Sequence, residues 1–162
     1  MAKPVALLAA ATVAAVAMTA CATDYVAVRN EVTVERPIDA VWARIGGWCA
    51  IADWLKLTCE TVSGSGDVGS VRRLNGTTLE AMVGRTAHSY SYWQTAGNMA
   101  GFAYHGTLAA EPAGPTRTTL VYTLFYDQAA MPSDAVRASE HQRLQTRFAG
   151  ALAAMKQLAE TH

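Results

Sequence analysis

Leu144-Gln-Thr-Arg-Phe148-Ala-Gly-Ala151-Leu-Ala-Ala-Met155-Lys-Gln-Leu158 decides the architecture. Leu144, Phe148, Ala151, Met155 and Leu158 recur at the spacing of one helical face. Ser133, just after Pro132, offers the side chain that caps a helix start. The pattern predicts one long helix closing the chain. Arg143, Arg147, Lys156 and Glu160 fall on its other face. A single apolar stripe over about 25 residues needs a sheet to lie against.

Upstream residues supply that sheet. Stretches 57–63, 68–74, 77–83, 88–94, 102–111 and 116–126 read as strands. Turn signals separate them: Ser63-Gly-Ser-Gly-Asp67, Asn75-Gly76, Gly97-Asn98 and Pro112-Ala-Gly-Pro115. Asn75-Gly76 is a two-residue hairpin signal, and short connections make neighbouring strands antiparallel. Residues 25–35 alternate and read as a first long strand. Arg36-Pro37 breaks it, and proline suits the first position of a helix. Ile38, Val41, Trp42 and Ile45 follow at helical spacing until Gly46-Gly47. Residues 48–54 suit a second short helix. The order is strand, two short helices, about six antiparallel strands, long helix. This is an α+β pattern with helices on one face of an antiparallel sheet.

Several stretches, taken in this order, resemble the START-like, or SRPBCC, superfamily, which includes polyketide cyclase-like and lipid-transfer proteins. They are Val41-Trp42-Ala-Arg-Ile45, Trp48-Cys-Ala-Ile-Ala-Asp-Trp54 with the later Cys59, Asn75-Gly-Thr-Thr-Leu-Glu80 and Tyr122-Thr-Leu-Phe-Tyr126. The resemblance covers about residues 25–160. It departs at Leu55-Lys56, where the similar branch often has His-Pro, and at Tyr122, which replaces a later Trp. The resemblance implies the helix-grip fold: a curved antiparallel sheet wrapped around the long C-terminal helix. It also implies a cavity between them, the two short helices at its mouth, and an apolar small molecule or lipid as occupant.

The N-terminus reads as an export signal. Lys3 gives a positive start, and residues 5–20 form an uncharged apolar run. That run is short for a membrane span, which needs about 20 residues. Met18-Thr19-Ala20-Cys21 resembles a lipoprotein signal, in which the Cys21 thiol is acylated. Cleavage after Ala22 as a plain secreted protein, or an uncleaved anchor, are the alternatives. The organisation is then a signal at 1–20, a tether at 21–24 and one domain at 25–162. If Cys21 is acylated, Cys49 and Cys59 remain either as a disulfide pair or as buried free thiols. The location is a bacterial cell envelope, periplasmic or held at a membrane surface through Cys21.

Composition narrows the function. The 162 residues are 51% hydrophobic and 16% charged, with 13 basic against 13 acidic side chains. That balance gives no field for nucleic acid. His88, His105, His141 and His162 are scattered without metal-ligand spacing, and no metal or cofactor is implied. Oligomeric state is not encoded in any pattern here.

Candidate site residues come from strand alternation. Tyr90 and Tyr92 share a face, as do Tyr104, Gly106 and Leu108, and Leu120, Tyr122, Leu124 and Tyr126. Buried phenols need hydrogen-bond partners, which a cavity supplies as well as protein does. Glu80 is either an inward acid or a solvated carboxylate. Arg72 or Arg85 would pair with an inward Glu80, whereas Arg72-Arg73 also reads as a solvated strand edge. Trp54 fits the cavity mouth or plain core. The candidate cavity set is Trp54, Arg72, Glu80, Tyr90, Tyr92, Tyr104, Tyr122, Leu124, Tyr126, Leu144 and Phe148.

Three functions fit: a carrier of an apolar ligand, a cyclase or dehydratase in the same cavity, or a non-catalytic envelope interaction module. Interior volume and the facing of Glu80 discriminate among them.

Overall fold

The computed structural model describes residues 22–161, so the leader and Cys21 lie outside the described residues. The elements in chain order are β1 (Tyr25–Val34), α1 (Ile38–Ile45), α2 (Ile51–Leu55), β2 (Cys59–Ser63), β3 (Val71–Leu74), β4 (Thr78–Thr86), β5 (Ser89–Ala96), β6 (His105–Pro112), β7 (Thr118–Asp127) and α3 (Asp134–Glu160). The strands form one antiparallel sheet in the order β1-β7-β6-β5-β4-β3-β2. The sheet curves around α3, with α1 and α2 beside it. This is the helix-grip fold.

Local chemistry sets the element ends. Pro37 sits one position before α1 rather than in its first turn, and its carbonyl accepts from the Val41 N–H at 3.0 Å. The 46–50 connection uses a glycine for space: a Cβ on Gly46 would lie 2.3 Å from the Trp42 ring. The second helix is shorter than residues 48–54 suggest, because Trp48 and Cys49 belong to the turn before it. Asn75 and Gly76 both take positive φ, 47° and 76°, and Thr77 N donates to Leu74 O at 3.2 Å. The ladder begins only at Leu74 opposite Thr78, so this hairpin carries one residue more than its sequence signal. The strand read from residue 102 begins at His105, because Ala100–Phe102 forms a 3-10 turn.

At the other end of the chain, Ser133 caps α3, its hydroxyl accepting from Val136 N at 3.3 Å. The stripe Leu144, Phe148, Ala151 and Met155 is buried against the sheet, joined by Leu152 and Ala159. Leu158 is only half-buried. Gln145 donates to Asn30 Oδ1 at 2.6 Å, Lys156 Nζ to Thr33 O at 2.6 Å, and Glu160 Oε1 accepts from Glu35 N at 2.9 Å. α3 therefore runs alongside β1 in the same direction. Cys49 and Cys59 are joined by a disulfide, with Cα atoms 5.5 Å apart, which ties the start of α2 to β2. β2 is short, mostly exposed and bulged between Thr61 and Ser63.

Candidate functional site

The concave face of the sheet carries the tyrosines. Tyr90, Tyr92, Tyr122 and Tyr126 are buried because alternation turns each inward, and Tyr104, just before β6, is buried beside them. Tyr92 stands opposite Gly106, where a Cβ would come within 2.3 Å of the phenol. Only glycine lets that ring lie flat over the neighbouring strand. Tyr92 and Tyr122 then satisfy each other, hydroxyl to hydroxyl, at 3.0 Å. The Tyr122 ring meets Phe148 of α3 with centroids 4.5 Å apart. This contact closes the middle of the interior.

The interior opens beneath the first half of α3. A cavity of about 140 Å³ lies between the first half of α3, α2 and the ends of β3, β4 and β5. Leu144 and Phe148 form its roof, and Ile51 and Leu55 of α2 one side. Glu80, Tyr92, Gln94 and Tyr104 form its floor, and Arg143 and Arg147 flank its mouth. Gln94 Oε1 accepts from Met99 N at 2.8 Å, which leaves the amide nitrogen as a donor for a guest.

Glu80 is 4% exposed and faces inward, not into solvent. Its partner is Arg72, which is fully buried. The expectation of a solvated Arg72-Arg73 edge is corrected for Arg72, because its position on β3 alternates into the interior, opposite Glu80 on β4. Arg72 donates to Glu80 Oε2 from Nε at 2.9 Å and from Nη2 at 2.7 Å, and from Nη1 to Trp48 O at 2.5 Å. Its guanidinium lies 4.0 Å from the Trp48 ring centroid and 5.1 Å from that of Tyr92. Burial opposes the Arg72 charge, but the Glu80 carboxylate and the phenol oxygens around it more than offset that, so the guanidinium stays charged. Arg85 bonds instead to Gly66 O. Both bonds from Arg72 converge on Oε2, so Oε1 is the carboxylate oxygen left for a guest.

Burial pushes the Tyr92, Tyr122 and Tyr104 phenols up from their usual value. They stay neutral and act as hydrogen-bonding groups at ordinary pH.

The structure divides the sequence candidates. Glu80, Tyr92, Tyr104, Leu144 and Phe148 border the cavity. Trp54, Arg72, Tyr90, Tyr122, Leu124 and Tyr126 are buried behind its wall and do not reach it. Trp54 is core, edge-on to Tyr122 at 6.1 Å, rather than a lip of the mouth. Tyr90 borders a separate cleft of about 300 Å³ together with Trp48 and Arg85. Sequence reasoning missed Gln94, Arg143 and Arg147. Gln94 continues the alternation of residues 90 and 92, so the same period points to it. The two arginines are spaced i, i+4 beside the apolar stripe and read simply as its solvent side.

A family model described as polyketide cyclase/dehydrase and lipid transport matches residues 25–160. No curated protein matches the chain. Among solved structures, the Zhui aromatase/cyclase from Streptomyces sp. R1128 is similar at a TM-score of 0.69 and 21% identity, covering 85% of this chain and 94% of that one. A Nitrosospira multiformis protein is similar at 0.67 and 23%, covering 81% and 94%. Norcoclaurine synthase from Thalictrum flavum, in complex with dopamine and hydroxybenzaldehyde, is similar at 0.64 and 17%, covering 84% and 87%. At these identities the likeness is one of fold.

Proposed function

The chain belongs to the polyketide cyclase/dehydrase and lipid transport family, and from that membership we propose that it is an exported, lipid-anchored protein holding an apolar small molecule or lipid beneath α3. The observation that carries this reading is the cavity itself, with an apolar roof above Glu80, Gln94 and Tyr104. Its 140 Å³ is close to the space that holds one benzene ring. Pockets that enclose a whole drug-sized ligand run to roughly 300 Å³ or more. The guest therefore inserts one ring or chain end and leaves the rest at the mouth, between Arg143 and Arg147. A hydroxyl or carbonyl on the inserted end bonds to Glu80 Oε1 or to the Gln94 amide.

Export is supported by the apolar run at residues 5–20 and the Cys21 context, and by a disulfide of the kind that persists in oxidising compartments. Among the described residues no helix is long and apolar enough to cross a membrane. The membrane contact would come from acyl chains on Cys21.

A second reading, a cyclase or dehydratase, is favoured by one observation. Glu80 offers a carboxylate oxygen to the cavity, where a general acid or base would have to stand. An interaction module would instead have a collapsed interior.

Two measurements test the proposal. Native mass spectrometry of the protein from envelope extracts is expected to find a co-purifying small molecule. Titration with 2-naphthol, followed by NMR, is expected to shift signals of Gln94 and Tyr104. Leu144→Trp fills the roof and should weaken that binding by about tenfold or more. Unchanged naphthol affinity in Leu144→Trp, with the fold intact, overturns the cavity as the binding site. Turnover of a polyketide-like substrate that Glu80→Gln abolishes, with binding retained, favours the enzyme.

A further inference from the structure

The antiparallel register gathers several features at one end of the sheet. Tyr25 pairs with Asp127, Phe125 with His105, His105 with Trp93, Leu79 with Ala96 and Leu74 with Thr78. The start of β1, the end of β7 and the turns holding Asn75, Asn98 and Tyr104 thus share that end. Those turns form the rim of the cavity mouth.

On the outer face, close to the same rim, lies an aromatic row. Ala81, Trp93, His105, Phe125 and Ala27 stand side by side across five strands. Trp93 stacks on His105 with centroids 6.1 Å apart, and Tyr25 on Phe125 at 4.7 Å. Trp93 is 42% exposed, Phe125 41% and Tyr25 48%. Stacking pre-orders these rings, yet their outer faces meet water. The row contains no acidic, lysine or arginine side chain.

The chain leaves the domain at this end on a short lead. Asp24 is already clasped: its N–H donates to Asp127 Oδ1 at 2.9 Å. Gln128 Nε2 donates to Asp24 Oδ2 at 3.0 Å and Gln128 N to Asp24 O at 2.8 Å. Three residue steps separate Cys21 from this clasp, a reach of about 10 Å. An acyl chain on Cys21 would therefore hold this end, and no other, against the bilayer.

We propose that the rim carrying Tyr25, Phe125 and Trp93 rests on the phospholipid bilayer that anchors Cys21, with the cavity mouth opening onto the same surface. The inference rests on the lipid-anchor reading above and adds an orientation to it. Tyrosine and tryptophan settle at the headgroup level, where an apolar ring and a polar edge are both accommodated. The row lies just outside the sheet rim and the mouth just inside it, so one tilt brings both to the surface. A guest then passes between bilayer and cavity without crossing bulk water. Aromatic seating rather than charge holds the contact, because Arg143 is already paired with Glu140, and Asp24 and Asp127 offset Arg147. Added salt should change it little.

The test uses the mature chain from Cys21, coupled through that thiol to a maleimide phospholipid in phosphatidylethanolamine–phosphatidylglycerol vesicles. Coupling imposes the tether whatever the cell does to Cys21. Bromine on the lipid acyl chains should cut the Trp93 emission, taken as the difference from Trp93→Phe, by about twofold. Amide exchange over residues 97–104 should slow on the vesicles in wild type, and not in Trp93→Ser/Phe125→Ser. Equal emission in brominated and ordinary vesicles overturns the docking. Protection that persists without vesicles and grows with protein concentration assigns the row to a second copy and overturns it too. An unmodified Cys21 in protein from envelope extracts overturns the anchor itself, and with it docking in the cell, whatever the coupled protein does.

Discussion

A guanidinium with no solvent exposure has to be matched on every side, and Arg72 is. Removing one member of such a pair strands the other charge in a low-dielectric interior. Glu80→Gln should lower stability by about 3 kcal/mol, read from urea unfolding. Replacing both members with apolar residues is often neutral or even stabilising. Arg72→Met/Glu80→Met should therefore recover much of that loss while losing affinity for 2-naphthol. Recovery of stability would indicate that the pair serves the cavity floor more than the fold. Gly106 carries a different constraint, since a methyl there collides with the Tyr92 ring. Gly106→Ala should cost about 1–3 kcal/mol and push that ring toward the cavity, visible as altered aromatic NMR shifts.

Among the elements, the disulfide and the β1–β7 junction are the easiest to probe. The Cys49–Cys59 bridge spans ten positions, and closing such a loop contributes about 2–3 kcal/mol in the chain-entropy model. Reduction should lower the thermal midpoint by a corresponding amount and loosen α2 first. At the junction, backbone N–H donors of Ala129 and Asp24 hold the Asp127 carboxyl below its ordinary pKa. A depressed carboxylate adds stability above its unfolded pKa, and the gain disappears as pH falls through the folded one. Acidification below the usual aspartate range near pH 4 should weaken wild type more than Asp127→Asn.

Element order and strand facing were legible because they follow local periods. The α3 stripe, the alternating tyrosines and Asn75-Gly76 each announce their own geometry. The extent of the cavity was not legible. It depends on Tyr122 meeting Phe148, a contact between β7 and α3 that no local pattern records. Hence Tyr90, Tyr122 and Tyr126 were readable as inward but not as sealed away from the void. Arg72 is readable both as a partner of an inward Glu80 and as a solvated edge, and only the register of β3 on β4 decides between them by setting Glu80 opposite it.

For the whole molecule, the interior concentrates hydroxyls that burial keeps protonated. Tyr90, Tyr92, Tyr104 and Tyr122 all have raised pKa values, chiefly through desolvation. A tyrosine whose folded pKa exceeds its unfolded one favours the native state below the unfolded value, about 10, and that advantage declines as pH rises further. Alkaline titration should show these phenols ionising late, together with loss of near-ultraviolet circular dichroism in one cooperative step. Early, separate ionisation would mean that the interior is wetter than its packing implies.

An open sheet has two borders, and each is a place where a foreign chain can add itself. Here β2 is brief and kinked by its bulge, so it offers little straight template. At the end of β1, Lys156 occupies the Thr33 carbonyl and, one residue past the strand, Glu160 the Glu35 amide, groups an incoming strand would need. Both flanks are thereby guarded against fibre-like stacking, and the protein can remain a separate particle even at high local concentration.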